Sequence, residues 1–571
     1  MGSATTACAA NENWNEHLQA LSDEYFDQVY FPFQPSQGTA VGYHQYDARL
    51  EDYSRTSIDA QVAALSAIER RVASIPAPQL GQTARGDREI MLGSIKSWLL
   101  TLQTIRPWEK DPDSYSSTVA NGAFVLIERK FASPDDRLRS MVAREKLMPT
   151  LFNEARANLK NPPRIYTEIA IEQMPGSISL FEHDVPMAFA DAQDPVLKAE
   201  FAQTNAAVIS AMKSYLDWLK TDLLPKSNGD SKIGAATFSK KLEYDEMIDI
   251  PLDKLLEIGW ADLRKNQAHF NQLAKELEPN KDTHAVLEEL GQDHPAPDQL
   301  LATFRATFDG LVAFIRSHHI VTIPSDVRPI MEETPPFMRA TTFASMDTPG
   351  PFETHSTEAY FNVTLPDPSM TPAEVESYMH SFNVGTIIST SVHEAYPGHY
   401  VQFLWVPQAP SRVRKLLGAN TDVEGWAHYC EQMMLDEGYG QPGLGAKDAR
   451  ESKMLRLGQL QDALLRNARF IVGIEMNTGK MSYDEAVEFF QREGYQGKET
   501  AIIETKRGAG DPTYLYYTLG KLEIMKLRED LKRKQGAAFS LEEFHNDFLR
   551  QGFPPVKIVR EALLGDDSPT L

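Results

Sequence analysis

Residues 393–399 read H-E-A-Y-P-G-H, which begins like the helical zinc motif H-E-x-x-H and then departs from it. In that motif, two histidines four residues apart share one face of a helix, and the adjacent glutamate acts as a base. Here Pro397 occupies the second histidine position, and His399 follows His393 by six residues. At about 100° per residue, a regular helix would direct the two imidazoles about 120° apart. A zinc site at this spacing therefore requires an irregular backbone.

Pro397 and Gly398 give a physical reason for such an irregularity. Proline has no N–H for the helical hydrogen bond to the carbonyl of His393, and its ring collides with that carbonyl. Glycine tolerates unusual backbone angles. Together the two residues predict a break that turns His399 back toward His393. Taken by itself, a pair of histidines this close is also typical of surface or structural positions, and that alternative stays open.

A carboxylate donor follows 25 residues after His399, in the helical pattern T-D-V-E-G-W-A-H-Y-C-E-Q-M-M. Glu424 opens this pattern, His428 lies one turn later, and Glu431 lies nearly another turn beyond. A glutamate on a second helix is the usual third ligand in glutamate-type zinc peptidases, and Gly425 would allow close approach of that helix. The alternative is an exposed glutamate on an amphipathic helix whose core face is formed by the residues downstream.

The segments H-E-A-Y-P-G-H-Y-V-Q and E-G-W-A-H-Y together resemble the bacterial family called domain of unknown function 885. Its members carry an H-E-A-x-P-G-H motif with a downstream E-G-W-A, and they look like distant zinc peptidases of the glutamate-ligand class, the gluzincins. The resemblance extends over most of the chain, and its specific motifs lie between about 350 and 525. It implies one Zn²⁺ ion per chain, with His393, His399 and Glu424 as ligands and Glu394 as general base.

The resemblance also implies roles for two further side chains. His428 is expected either to support a ligand through a hydrogen bond or to replace one of the ligands. Residues 511–521 read D-P-T-Y-L-Y-Y-T-L-G-K, and Tyr517 and Gly520 match the Tyr-x-x-Gly ending of a Pro-led family segment, although the interval from proline to tyrosine is one residue shorter. The implied role of Tyr517 is to donate a hydrogen bond to an oxyanion. The three tyrosines of this segment would alternatively be core residues.

Several cationic side chains are candidates for binding a substrate. Arg469 is a candidate anchor for a carboxylate, with an ordinary salt bridge as the alternative. Lys506 and Arg507, together with Arg339, are candidates for holding the C-terminal carboxylate of a peptide, as a carboxypeptidase would need. The alternative for these three residues is a role as surface charges.

The expected activity is that of a zinc-dependent metallopeptidase acting on small peptides. Zinc would lower the pKa of a bound water from about 15.7 to about 7, and Glu394 would take the water's proton and pass it to the leaving amine. The alternatives are a zinc amidohydrolase or esterase acting on non-peptide substrates, and a metal- or peptide-binding protein without catalysis. The run at 359–365 would be an edge strand that holds an extended peptide, or else an ordinary internal strand.

Helical periodicity dominates the chain and predicts a mainly α fold, which the resemblance extends to a large helical gluzincin-like fold. Short β-branched and aromatic runs at 320–324, 341–346 and 359–366 predict one small β-sheet next to the helix that carries the zinc site. We expect residues 14–571 to form a single unit, with a helical N-terminal half at about 14–318 and a catalytic half at about 319–571. Helices are predicted at 14–30, 58–75, 85–105, 136–160, 195–224, 253–277, 297–317, 372–396, 411–437, 448–477, 482–493, 512–533 and 541–549.

The composition excludes several classes of partner and site. A net charge of −23 on 571 residues argues against nucleic acid, because a polyphosphate would be repelled. The sequence has no run of about 18 apolar residues, so stable membrane insertion is not expected. Since Cys8 and Cys430 are the only cysteines, any metal must be held by histidine and carboxylate side chains.

The first residues of the chain bear on where the protein is located. Residues 1–13 lack the basic and apolar regions of a signal peptide, and they are expected to be a disordered leader or an expression scar. The small residues around Cys8 are typical of the tail of a removed export signal. We therefore expect an exported or periplasmic protein whose leader is absent, rather than a cytoplasmic one.

Overall fold

The computed structural model describes residues 13–339 and 342–571, and the predicted mainly α fold is confirmed. Apart from Asn13, which caps the first helix, the predicted leader and Cys8 lie outside the described residues. None of the described helices combines the length and the apolarity that a membrane crossing needs. The α-helices of the N-terminal half are Trp14–Glu24, Phe31–Phe33, Pro35–Ala40, Arg55–Ser74, Gln82–Leu100, Pro107–Lys110, Asp113–Ile127, Pro134–Asn158, Arg164–Ser179, Val185–Ala188, Pro195–Trp218, Ala235–Glu246, Leu252–Leu277, Thr283–Gly291 and Leu300–Ser317.

The periodicity of the sequence missed several of these helices, and Asp113–Ile127 illustrates why. Its sequence D-S-Y-S-S-T-V-A-N-G-A-F-V-L-I is rich in residues of low helix propensity. Burial of Tyr115, Val119 and Leu126 in the core of this half stabilises the helix nevertheless. Tertiary packing therefore overrides local propensity at this position.

A three-stranded sheet lies near the start of the C-terminal half of the chain. Its strands are β1 (Ile330–Glu333), β2 (Ala344–Asp347) and β3 (Tyr360–Val363), in the order β1-β3-β2. The central strand β3 runs parallel to β1 and antiparallel to β2. The run at 359–365 is therefore internal, and β1 and β2 are the two edge strands.

The strand predicted at 320–324 does not form, because side chains occupy its backbone hydrogen-bonding groups. The carbonyl of Ile320 accepts a hydrogen bond from His545 Nδ1 at 2.7 Å. The carbonyl of Thr322 accepts from Trp405 Nε1 at 3.1 Å, and its N–H donates to Asn546 Oδ1 at 3.0 Å. These bonds satisfy the segment without a strand partner.

Four helices of the C-terminal half position the candidate site, and we name them by the side chains they carry. They are the histidine helix (Val384–Glu394), the glutamate helix (Asn420–Asp436), the arginine helix (Ala449–Asn477) and the tyrosine helix (Tyr516–Gln535). The other α-helices of this half are Pro372–Met379, His399–Trp405, Arg412–Leu416, Tyr483–Arg492, Lys498–Gly510, Leu541–Leu549 and Val556–Leu564, and two short strands are Gln441–Pro442 and Gly445–Ala446. The grouping of 14–571 into one unit stays a prediction.

The glutamate helix and the tyrosine helix are in backbone contact. A Cβ atom on Gly520 would lie 1.9 Å from the carbonyl oxygen of Thr421, and a Cβ atom on Gly425 would lie 2.6 Å from the Cα of Gly520. Only glycine fits at such distances. This close approach brings Tyr517 and Glu424 to the same cavity.

Candidate metal centre

The backbone breaks between the two histidines, as the sequence predicts. The histidine helix ends at Glu394, and a new helix begins at His399. Between them, the peptide bond before Pro397 is cis, and Gly398 donates its N–H to the carbonyl of Val392 at 2.9 Å. A Cβ atom on Gly398 would lie 1.8 Å from the carbonyl oxygen of the first histidine, so no other residue fits there.

The break brings His393, His399 and Glu424 together as one group, which we call the buried cluster. Their donor atoms all lie within 4.8 Å of one another. The Nε2 atoms of His393 and His399 lie 3.3 Å and 3.4 Å from the same oxygen, Oε2 of Glu424. That oxygen is buried and has no hydrogen-bond partner among the residues that the structure describes. Two imidazole nitrogens and an orphaned carboxylate oxygen fit the donor set that zinc prefers.

Electrostatics couple the three donors. Burial would raise the pKa of Glu424, but contact with the two imidazoles holds it well below its usual value. Burial would lower the pKa of His393, but Glu424 and Glu431 raise it to about 9. The cluster therefore stabilises a positive charge at the point where the donors meet. A divalent cation would replace the proton there.

Glu431 fixes the orientation of His393 from behind. The Nδ1 atom of His393 donates to Glu431 at 2.7 Å, which leaves Nε2 directed at the other donors. Burial would raise the pKa of Glu431, but Arg466, 3.4 Å away, and His428 hold it well below its usual value. A carboxylate in this position fixes the tautomer of a ligating histidine and raises its basicity.

His428 lies behind Glu431 and is not among the three donors. Its Nδ1 atom is 3.1 Å from Glu431 Oε2. Burial lowers the pKa of His428 to about 4, so the side chain is neutral at pH 7. Of the two expected roles, this position is closer to support of a ligand, but the support is indirect: His428 bonds Glu431, and Glu431 bonds the candidate ligand His393.

Tyr517 stands beside the buried cluster. Its ring stacks on that of His393, with 6.3 Å between the centroids and an angle of 25° between the planes. Its hydroxyl accepts a hydrogen bond from Arg507 Nη2 at 2.8 Å. Burial raises the pKa of Tyr517 to about 12, so the hydroxyl keeps its proton for donation at neutral pH.

The other cationic candidates are mostly engaged in ion pairs. Arg469 binds both carboxylate oxygens of Glu504, at 2.6 Å and 2.7 Å, so the salt bridge that was the alternative for this residue does form. Lys506 pairs with Glu172. Arg339 pairs with Glu333 at 3.0 Å and does not line the cavity described below. Arg507 differs from these three because its partner is a hydroxyl.

A cavity of about 760 Å³ opens in front of the buried cluster. Glu394, next to His393 in sequence, lines it together with Tyr517 and residues 342–346 at the edge strand β2. Within residues 13–339 and 342–571, Glu394 makes no hydrogen bond or ion pair. Its carboxylate is therefore available to exchange protons with a molecule in the cavity.

Sequence reasoning assigned no role to Glu431, Arg466 or Glu504, although all three support the site. Their spacing carries a weak signal. Glu431 follows Glu424 by seven residues on one face of the glutamate helix, and Arg466 and Arg469 share one face of the arginine helix. The spacing does not reveal their long-range partners: Glu431 pairs with His393 and Arg466, and Glu504 pairs with Arg469.

Comparisons with known proteins identify one family and several solved structures, two of which are described here. The family model described as "Bacterial protein of unknown function (DUF885)" matches residues 35–563. A protein from Shewanella oneidensis described as "a putative lipoprotein of unknown function" is 26% identical, with a TM-score of 0.78, covering 96% of this chain and 99% of that one. A "putative lipoprotein" from Colwellia psychrerythraea is 18% identical, with a TM-score of 0.76. This match covers 97% of this chain and 99% of that one. No curated protein matches the chain.

Proposed function

This chain belongs to the bacterial family of unknown function DUF885, and we propose that it is a zinc-dependent metallopeptidase that cleaves small peptides. One observation carries the proposal. Two histidines and one glutamate converge within 4.8 Å beside a cavity that also contains the unpaired carboxylate of Glu394. A metal-binding donor set and a free base facing one cavity are what hydrolysis by an activated water requires.

His393, His399 and Glu424 would hold the metal. Zinc bound there would polarise a scissile carbonyl and lower the pKa of a water molecule. Glu394 takes the proton of the attacking water and passes it to the leaving amine. Tyr517 donates its hydroxyl proton in a hydrogen bond to the oxyanion, while Arg507 holds the hydroxyl oxygen from the other side.

The edge strand β2 supports a peptide as the substrate. Residues 342–346 line the cavity, and β2 pairs with β3 along one side only. The other side of β2 offers backbone groups to which an extended peptide could add as a further strand. A cavity of about 760 Å³ suits an oligopeptide better than a folded protein.

We also propose that the protein is exported and associated with the cell envelope. The lipoprotein description of the Shewanella oneidensis relative, at 26% identity, supports this location. Fractionation of cells that express the native full-length gene tests it. Recovery in the envelope or periplasmic fraction is expected, and recovery in the cytosol alone would contradict it.

The variant Glu394→Gln tests the proposed function. We expect it to keep the zinc content of the wild type and to lose about 10²- to 10⁴-fold in turnover of quenched short peptides, because general acid–base catalysis contributes about that much. Glu333→Gln, which also removes one carboxylate but lies outside the cavity, is the matched control.

Three outcomes would contradict parts of this proposal. Unchanged peptide hydrolysis by Glu394→Gln would exclude Glu394 as the base. Hydrolysis of acylated amines or esters with no hydrolysis of peptides would favour an amidohydrolase or esterase. Calorimetry that detects peptide binding without any product would favour a binding protein.

A further inference from the structure

Several cationic side chains line the cavity, and most of them are already neutralised. Arg466 lies 3.4 Å from Glu431 and 3.5 Å from Asp462. Arg469 is bound through two hydrogen bonds to Glu504, and Lys506 is paired with Glu172. These three side chains line the cavity but have their counter-ions within the protein.

Arg507 lines the same cavity without a carboxylate partner. Among the residues that the structure describes, none places a carboxylate within ion-pair distance of it, and its side-chain hydrogen bond goes to the hydroxyl of Tyr517. The residue is half-buried. A guanidinium has five N–H donors and always carries its charge, so most of its hydrogen-bonding capacity is unused here. Removing such a charge from water costs free energy unless an anion neutralises it.

The position of Arg507 connects this free charge to the buried cluster. Its Nη2 atom is 2.8 Å from the hydroxyl of Tyr517, whose ring stacks on the ring of His393. Tyr517 therefore orients the guanidinium on the same side of the cavity as the metal donors. The planar fork of arginine matches a carboxylate in a two-bond geometry.

We propose that Arg507 binds the free C-terminal carboxylate of a peptide substrate, so that the amide bond presented to the buried cluster is the last one of the chain. The inference rests on the proposed peptidase function and specifies the end of the peptide substrate at which cleavage occurs. One extended residue spans about 3.5 Å, so a carboxylate at Arg507 keeps the preceding amide on the same side of the cavity. The enzyme would then release C-terminal residues.

Lys110 is the competing candidate for this role. It also lines the cavity and has no ion pair in the described part of the chain, but it comes from the N-terminal half. It makes no hydrogen bond to Tyr517, and an ammonium group does not have the planar fork. The structure therefore assigns the carboxylate to Arg507 rather than to Lys110.

A pair of short peptides that differ only in the C-terminus, free acid against amide, tests the inference. We expect the zinc-loaded wild type to prefer the acid, chiefly through a lower KM. In Arg507→Gln, the preference for the acid should fall by about 10- to 100-fold, the effect of removing a charged hydrogen-bond partner. Arg164→Gln, at an exposed arginine outside the cavity, controls for the change in net charge.

Several results would overturn the inference. If the wild type has equal KM values for the free-acid peptide and the amide peptide, the inference is wrong. This measurement does not depend on whether the variants fold. A preference for the acid that survives Arg507→Gln and disappears in Lys110→Gln would show that the lysine binds the carboxylate.

Calorimetry of the acid and amide peptides distinguishes failure of this inference from failure of the proposed peptidase function. If neither peptide is hydrolysed but the acid binds more tightly, only the peptidase assignment fails. If both are hydrolysed and bind equally, only the carboxylate site fails.

Discussion

Two histidines and one glutamate converge at two places in the part of the chain that the structure describes. One is the buried cluster of His393, His399 and Glu424. The other, which we call the surface cluster, consists of His294, Glu376 and His380. In the surface cluster, the Nε2 atoms of His294 and His380 lie 3.3 Å and 3.6 Å from Oε1 of Glu376. The donor sets and distances are thus nearly the same.

The surroundings of the two clusters differ. The side chain of Glu376 is 61% exposed, whereas that of Glu424 is 21% exposed. His294 donates Nδ1–H only to a backbone carbonyl, that of Pro295 at 2.9 Å, whereas His393 donates to the fully buried carboxylate of Glu431. Water can solvate the surface donors, whereas His393 and His399 are buried and lie against the carboxylate of Glu424. The contrast teaches that a donor set becomes a strong metal site through burial and support, not through spacing alone.

The largest expected effect is on metal content. In His399→Ala, the zinc bound by the wild type, about one ion per chain, should be lost, because catalytic zinc sites use three protein ligands. In the matched variant His380→Ala, the zinc content should not change. Mass spectrometry of the purified proteins measures both. Equal losses in the two variants, or a loss in His380→Ala alone, would reverse the comparison.

The second expected effect is on metal affinity. Glu431→Gln keeps the shape of the side chain but removes the charge behind His393, and it should weaken zinc binding by about 10- to 100-fold. Competition with a chelator measures this change. Circular dichroism of the metal-free variant is needed beside it, because Arg466 also loses its partner. An unchanged affinity in a folded variant would mean that Glu431 stabilises the protein without tuning the metal.

The backbone break in the buried cluster is predictable from the sequence because local chemistry determines it, whereas the choice of the three donors came from the family resemblance. A proline in place of the second histidine of the motif requires a break, and the glycine that follows permits one. The histidine helix, the glutamate helix and the strands β2 and β3 follow from hydrophobic periodicity and β-branched runs, whereas β1 was not predicted. The ligand roles themselves stay predictions until a metal is measured.

The supporting residues are not predictable in the same way because their partners are distant in sequence. Glu504 is 35 residues from Arg469, and nothing local pairs them. The edge position of β2 depends on how three short strands are ordered, which runs of β-branched residues do not specify. The absence of a strand at 320–324 likewise depends on hydrogen bonds from helices more than 80 residues later.

The third expected effect is on stability, and each cluster has a glycine that tests it. Gly520→Ala would place a methyl group against the backbone carbonyl of Thr421, which cannot move without separating two helices. We expect a loss of about 1–3 kcal/mol in the free energy of unfolding, as for other overpacked sites. Gly291→Ala would meet only the side chain of His380, at 3.0 Å, and should cost less. Calorimetric melting of both variants compares their losses in the free energy of unfolding. A larger loss in Gly291→Ala than in Gly520→Ala would contradict the prediction.

The smallest expected effect comes from the surface cluster itself. Glu376→Gln removes its carboxylate, and the free energy of unfolding should change by less than about 1 kcal/mol, because exposed ion pairs contribute little. Chemical denaturation with and without added zinc measures this change. Added zinc should shift the denaturation curve of the wild type and that of the variant by the same amount. Suppose instead that zinc stabilises the wild type through a second transition that Glu376→Gln abolishes. The surface cluster would then bind metal as well, and burial would not be what separates the two clusters. If zinc shifts the curves of wild type and Glu376→Gln equally, the surface cluster binds no metal strongly. Two histidines and a glutamate at similar distances are then insufficient for a strong metal site without burial and a supporting carboxylate.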